Sequence, residues 1–205
     1  MVSFKEFKKY HQEYPMTNCP TFERVIAEID DVDVTKSMVS IYFDDGSSMN
    51  IFYDGYYERY NRSGKCQSTG GTGTMRGINW KNHHLQIRIY GKAILLERLV
   101  AVCCDIFNDT MPLSYNGLVA NVMDGTGSLK TAEWFNCPLN IEPDNIEWCS
   151  FSGNSSHGWL SKRLYKITHH VYRFSAEDAK LADVMRNGNK QMITDYCNSS
   201  LYRVD

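Results

Sequence analysis

The chain has 205 residues, 42% hydrophobic and 22% charged, with a formal net charge of −2. This length and balance suit a protein that buries its own core, and they exclude a fold that depends on disulfide staples. No apolar run approaches a membrane span, and the charged opening MVSFKEFKKYHQEYP excludes a signal peptide, so we expect a cytoplasmic protein without a membrane partner. Seven cysteines without a Cys-x-x-Cys pair favour reduced thiols.

Charge is segregated along the chain. Residues 23–54 contain eight acidic and two basic residues, whereas residues 59–98 contain eight basic residues and one acidic residue. Residues 156–173 are basic without any acid. Tyrosines and tryptophans are interleaved with these basic residues, as on a surface that follows a phosphate backbone. Charge alone favours the simpler interpretation, a solvated face.

The N-terminal part of the chain predicts helices and then a hairpin. Ser3 and Glu6 have capping-box spacing before aromatic residues at helical intervals, and TFERVIAEI, residues 21–29, continues the helical pattern. β-rich residues then flank the turn signal at 44–48. The glycine-rich run at 61–77 reads as a polar loop, and without a terminal Gly-Lys-Ser/Thr it is not interpreted as a nucleotide site.

The middle of the chain predicts a strand, a turn and a helix. Residues 84–90, HLQIRIY, alternate as a strand does, and Gly91-Lys92 predicts a turn. Residues 93–107 have the apolar density of a mostly buried helix. A further capping-box spacing at Ser175 predicts a helix near the end of the chain.

The second half predicts a strand–strand–helix unit. A strand ends near Asn121, a turn follows at Asp124-Gly125, a second strand carries Asn145, and a helix carries Asn154 and His157. Such a unit brings polar side chains from distant positions into one concavity, which suits a single divalent ion that grips a scissile phosphate.

Four motifs in this order resemble those of the phage-type HNH endonucleases, a family that includes many homing enzymes. In that family HRLVA, NHIDG and DNLEW are followed by Asn and His at fixed spacing. Here the corresponding segments are ERLVA at 97–101, NVMDG at 121–125 and DNIEW at 144–148, followed by Asn154 and His157. The resemblance covers roughly residues 55–165.

The resemblance implies a site for one divalent ion, Mg²⁺ or Mn²⁺. Asn121 and Asn154 correspond to the metal ligands of the family, and Asn145 corresponds to a residue that positions the catalytic histidine. Two neutral amides are poor ligands for Mg²⁺, so we expect the ion to bind weakly or not at all. Without the resemblance, the three asparagines read as caps or bridges of turns.

The resemblance also implies a general base that this chain lacks. Val122 occupies the position of the family histidine, and valine cannot accept a proton. His157 and the histidines at 83–84 are candidate substitutes, although for His157 we favour a helix residue that is hydrogen-bonded within the fold. Glu97, which replaces the first histidine of the helix motif, is interpreted as an exposed residue or as the partner of a nearby arginine.

We therefore expect an α+β fold: a ββα-metal, HNH-like core joined to a small β-rich basic unit and flanked by helices. The expected segments are N-terminal helices with an acidic hairpin at 1–54, the basic unit at 55–110, the HNH-like region at 111–165 and a helical segment at 166–205.

The function expected first is that of a DNA-binding protein of HNH descent with a degenerate nuclease centre. One alternative is an active metal-dependent DNA nicking endonuclease with a displaced general base, and another is a phage factor that binds a protein of the host. The residues expected to contact DNA are Arg59, Arg62, Lys65, Arg76, Lys81, Arg88, Lys92, Lys162 and Arg163.

Overall fold

A computed structural model describes residues 1–13, 21–72, 84–124, 126, 128 and 139–155. The fold is α+β, with antiparallel sheets and a few helices. Its helices are α1 (Phe4–Glu13), α2 (Thr21–Ala27) and α3 (Leu96–Phe107), with a 3-10 turn at Pro143–Asn145. Its strands are β1 (Ile29–Val34), β2 (Met38–Phe43), β3 (Ser48–Phe52), β4 (Tyr56–Tyr60), β5 (Cys66–Gly71), β6 (Gln86–Ile89), β7 (Lys92–Leu95), β8 (Leu118–Val122) and β9 (Ile146–Ser150). None of the helices in these residues has the length and apolarity to cross a membrane.

The predicted capping box starts α1. The backbone N–H of Ser3 donates to Glu6 Oε2 at 2.8 Å, and the backbone N–H of Glu6 donates to Ser3 Oγ at 3.2 Å. These reciprocal bonds satisfy N–H groups that the first helical turn leaves without partners. The second helix, predicted to reach Ile29, ends at Ala27, because Ile29 pairs with Phe43 as the first residue of β1.

β1 to β5 form one antiparallel sheet in which each strand neighbours the next along the chain. The predicted hairpin at 44–48 joins β2 to β3, and the backbone N–H of Ser47 donates to Asp45 Oδ1 within the turn at 2.8 Å. Because β3 also pairs with β4, the sheet extends across the expected segment boundary between residues 54 and 55.

The prediction of a loop at residues 61–77 is wrong for 66–71, which form the edge strand β5. The glycines there make room for other groups. A Cβ on Gly70 would collide with the ring of Tyr57 on β4, and a Cβ on Gly71, whose φ is +85°, would collide with the carbonyl oxygen of Gly55. The glycine-rich composition therefore reflects close packing against β4, which the polar sequence does not reveal.

The helix predicted for residues 93–107 is correct from Leu96 onward, whereas Lys92–Leu95 form β7. β7 pairs with β6 in a hairpin whose turn, Tyr90-Gly91, has positive φ at both residues. A short apolar run of this kind fits a strand or a helix equally well. Ile94 lies in a strand because it pairs with Ile87 of β6. α3 buries its apolar face against β1, β2 and β7 to β9, so it forms the centre of the core.

The two predicted strands exist and pair antiparallel as β8 and β9. Asn145, predicted to lie on the second strand, lies instead in the 3-10 turn directly before β9. In this register Asn121 lies opposite Glu147, and Val122 lies opposite Ile146. Residues 151–155 directly after β9 are helical. The helix predicted from Asn154 to Leu164 lies within the described residues only as far as 155, and the predicted helix after Ser175 lies outside them.

Candidate functional site

Asn145 joins the turn after β8 to the start of β9. Its Oδ1 accepts a hydrogen bond from the backbone N–H of Asp124 at 3.1 Å, and its Nδ2 donates to the carbonyl of Asn140 at 2.9 Å. Its own carbonyl accepts from the N–H of Met123 at 2.8 Å. Both ends of the amide are thus used to fix backbone, which is the bridging role that asparagine commonly has in turns.

Asn121 has a carboxylate beside it. Its side chain is 4% exposed, and its Nδ2 donates to Glu147 Oε1 across the strand pair at 3.1 Å. Glu147 was not among the residues singled out from the sequence, since its position opposite Asn121 follows only from the register of β8 and β9. The pair places an anionic oxygen next to an amide that the resemblance implies to be a metal ligand.

Val122, at the position of the family's general base, belongs to the core. It is 6% exposed and lies opposite Ile146, which is 5% exposed. Asn154 lies in the helical segment after β9 and is half-buried. His157 and His83 lie outside the described residues.

The described side chains near Asn121 provide too few oxygen ligands for a divalent-metal site. Asn121 and Glu147 supply one amide and one carboxylate, whereas Mg²⁺ requires near-octahedral oxygen coordination. No group of three or more His, Cys, Asp or Glu side chains able to hold a metal occurs within residues 1–13, 21–72, 84–124 and 139–155. The described residues therefore do not by themselves fit a bound ion, and the ligand role of Asn121 and Asn154 stays a prediction.

Glu97 is buried, and among the residues that the structure describes it forms its ion pair with His84 and not with Arg88 or Arg98, so both interpretations of it are wrong. It is 2% exposed, and its Oε1 lies 2.9 Å from His84 Nδ1. Because β6 and β7 form a hairpin directly before α3, residues flanking the hairpin come together: the N–H of Leu96 donates to the carbonyl of Leu85 at 3.1 Å. A buried carboxylate requires such a partner, and the hairpin supplies it.

Comparison with family models, curated proteins and solved structures finds no match to this chain.

Arginines from different strands meet at one end of the five-stranded sheet. Arg59 Nη1 donates to the carbonyl of Arg88 at 3.2 Å, which joins β4 to β6. Arg59 and Arg62 line a groove of about 400 Å³ together with Ser47 and Asn61. Arg62, Lys65, Arg88 and Lys92 are exposed, whereas Arg59 is half-buried. The remaining expected DNA contacts lie outside the described residues: Arg76, Lys81, Lys162 and Arg163.

Two aspartates accompany these arginines. Asp44 forms an ion pair with Lys8 at 3.0 Å, so its charge is already compensated from α1. Asp45 lines the groove, and a hydrogen bond from Ser47, with the charges of Arg62 and Arg59, holds the pKa of its carboxyl below the ordinary value. Asp45 therefore carries a negative charge at neutral pH and offsets part of the positive charge in the groove.

Proposed function

We propose that the chain is a DNA-binding protein built on an HNH-like strand–strand–helix unit without the family's general base. The observation that carries the proposal is the groove that Arg59 and Arg62 line, with exposed Arg88 beside it. Arginine binds phosphate through planar, bidentate hydrogen bonds, and neutralising several phosphates gives affinity without reading sequence. The compartment that suits this function is the cytoplasm, that of an infected bacterial host if a phage encodes the chain.

The end of the sheet supports the proposal by its construction. The stem of Arg62 lies against Gly46 in the β2–β3 turn, and the ring of Tyr90 in the β6–β7 turn contacts the ring of Phe43 at 6.1 Å. Turns from two hairpins and the arginines of β4 and its following turn are thereby held together. A surface with fixed charges loses less conformational entropy on binding than one made of separate mobile loops.

The residue at the base position of the HNH-like unit supports binding over cleavage. The side chain at the base position, Val122, is buried beside Ile146 and has no atom that could accept a proton. Asn145, whose amide is used to hold backbone, has a sufficient structural reason to be present without any catalytic role.

Electrophoretic mobility shift with duplex DNA tests the proposal. We expect the DNA to shift, and we expect the protein concentration that binds half of the DNA to rise steeply with salt, because phosphate contacts release counterions. Salt-insensitive binding would refute phosphate contacts by the arginine groove as its basis. No binding would refute DNA binding and leave the alternative of a factor that binds a protein of the host.

A nicking endonuclease is the second candidate, and the carboxylate of Glu147 beside Asn121 is the observation in its favour. Incubation with supercoiled plasmid in Mg²⁺, in Mn²⁺ and in EDTA tests it, with Asn154→Ala as the matched variant. We expect no metal-dependent nicking. Nicking that Asn154→Ala abolishes would replace the binding proposal with an active enzyme and direct attention to His157 as its base.

A further inference from the structure

A second polar cavity lies away from the arginine groove and was not anticipated from the sequence. It has a volume of about 320 Å³ and lies between α2, the end of β7 and the segment before β8. Its walls combine aromatic, aliphatic and charged side chains, among them Phe22, Glu23, Ile94, Arg98 and Tyr115. This volume is at the lower end of the roughly 300–1,000 Å³ typical of ligand pockets, so it suits a small ligand.

Glu23 contributes a buried carboxylate that is only half satisfied. Its side chain is 1% exposed, and its Oε1 accepts from Ser114 Oγ at 2.6 Å and from the N–H of Tyr115 at 2.9 Å. Its Oε2 is buried and has no hydrogen-bond partner in the part of the chain that the structure describes. Buried polar atoms without partners are rare in proteins, and a buried anionic oxygen is the costliest kind.

Arg98 contributes the opposite charge. Its guanidinium lies over the ring of Phe22, 4.0 Å from the ring centroid, and its Nη2 donates to the carbonyl of Leu118 at 3.4 Å. Its Nε is buried and likewise lacks a partner among the described residues. The two unpartnered atoms do not satisfy each other, although Glu23 and Arg98 line the same cavity.

We propose that this cavity binds a free α-amino acid with an apolar side chain, its ammonium on Glu23 Oε2 and its carboxylate on Arg98. A simple cation would be repelled by Arg98, and a simple anion would be repelled by Glu23, so only a ligand with both charges matches the pair. Phe22, Ile94 and Tyr115 provide apolar surface for the side chain. This site is independent of the proposed DNA binding.

Isothermal titration calorimetry with L-leucine and L-phenylalanine tests the proposal on the full-length protein. The matched controls for L-leucine are 3-methylbutylamine, which lacks the carboxylate, and 4-methylpentanoate, which lacks the ammonium. We expect at least one of the two amino acids to bind, and each control of L-leucine to bind at least about tenfold more weakly than L-leucine, because it leaves one buried charge unpaired. Binding of neither amino acid at millimolar concentration, or equal binding of the amine, would overturn the proposal.

Two variants separate ligand recognition from folding. Glu23→Gln keeps an acceptor for Ser114 and Tyr115 but replaces Oε2 with an amide donor, so we expect amino-acid binding to fall by about 100-fold or more while the folded far-UV circular dichroism spectrum is retained. Should Glu23→Gln not fold, Arg98→Lys decides: it keeps a positive charge over Phe22 and loses the planar donor set, and we expect about tenfold weaker binding. Unchanged affinity in the folded variant would refute the site.

Discussion

The indole Nε1 of Trp148 donates to Asp105 Oδ2 at 2.8 Å, which ties β9 to α3. The same oxygen accepts from the hydroxyl of Tyr115 at 2.8 Å, and the rings of Tyr115 and Trp148 contact each other with centroids 4.8 Å apart. One carboxylate therefore fixes a helix, a strand and the segment between them. Two donors converging on a single half-buried acceptor make this contact sensitive to substitution.

We expect Asp105→Ala to lower the free energy of unfolding by about 1–3 kcal/mol, because it leaves the hydroxyl of Tyr115, a residue that is 1% exposed, without its acceptor. Asp105→Asn, which keeps an acceptor oxygen, should cost less. Urea unfolding of the two variants measures the difference. Equal losses would mean that the charge, and not the acceptor, matters.

Burial raises the pKa of Asp105 above its ordinary value, against the opposing effect of the hydrogen bonds from Tyr115 and Trp148. The folded state therefore holds the proton more tightly than the unfolded state, and this group stabilises the fold most at low pH. Its contribution should fall as the pH rises through the folded pKa. We expect the free energy of unfolding of the wild type, minus that of Asp105→Asn, to decrease from about pH 4 to pH 7. An increase over this range would contradict the assignment.

The pair of His84 and Glu97 should be coupled energetically. His84→Ala leaves the Glu97 carboxylate, 2% exposed, without the ring nitrogen 2.9 Å away. In a double-mutant cycle with Glu97→Met, we expect a coupling energy within about 0.5–3 kcal/mol, towards the lower end because His84 is partly exposed. Chemical denaturation of the four proteins provides the values, and strictly additive losses would show that the contact contributes nothing.

The histidine that the resemblance implies at position 122 should destabilise the protein. An imidazole in place of Val122 enters an apolar contact with Ile146 and has to be buried, which we expect to cost about 1–3 kcal/mol. Val122→Leu controls for the change in volume. Denaturant midpoints of the two variants are the measurement. A histidine variant no less stable than the leucine variant would indicate that this position opens to solvent.

Arg62→Ala should lower the salt dependence of DNA binding. Loss of one phosphate contact is expected to reduce the slope of log affinity against log salt by about 0.9. Lys36→Ala is the matched control, because Lys36 is also exposed but precedes β2, at the opposite end of that strand from the groove. Fluorescence anisotropy with a labelled duplex across several salt concentrations gives both slopes. An equal change in the two variants would refute the groove as the contact surface.

Regular patterns in the sequence predicted most of the helices and strands. Each exception has a physical cause that these patterns do not contain. The capping box at Ser3 and the turn at 44–48 are encoded by adjacent residues, so both are predictable. β5 is not predictable in this way, because its glycines are needed to make room for Tyr57 and for the carbonyl oxygen of Gly55, which lie on neighbouring segments of the chain. β1 follows α2 without a helix breaker, and its aspartates weaken the usual signal of a strand.

The sequence predicted the order of the elements at the candidate site but not the contacts between their side chains. Motif spacing predicted two strands, one ending near Asn121 and one carrying Asn145; the two strands exist and pair, but Asn145 lies in the 3-10 turn directly before the second strand. The carboxylate of Glu147 beside Asn121, and that of Glu97 beside His84, depend on register and on a hairpin, which spacing does not specify. The cavity at Glu23 combines three distant segments and has no local signature.

The simple order of the five-stranded sheet has a consequence for how the protein is made. Every strand from β1 to β5 pairs with its immediate neighbour in the chain, so each pairing closes only a short loop. The meander can therefore form while the ribosome is still adding later residues, whereas the apolar side chains of β1 and β2 that pack against α3 stay uncovered until α3 has emerged. We expect the nascent sheet to be the species most exposed to aggregation and most dependent on chaperones.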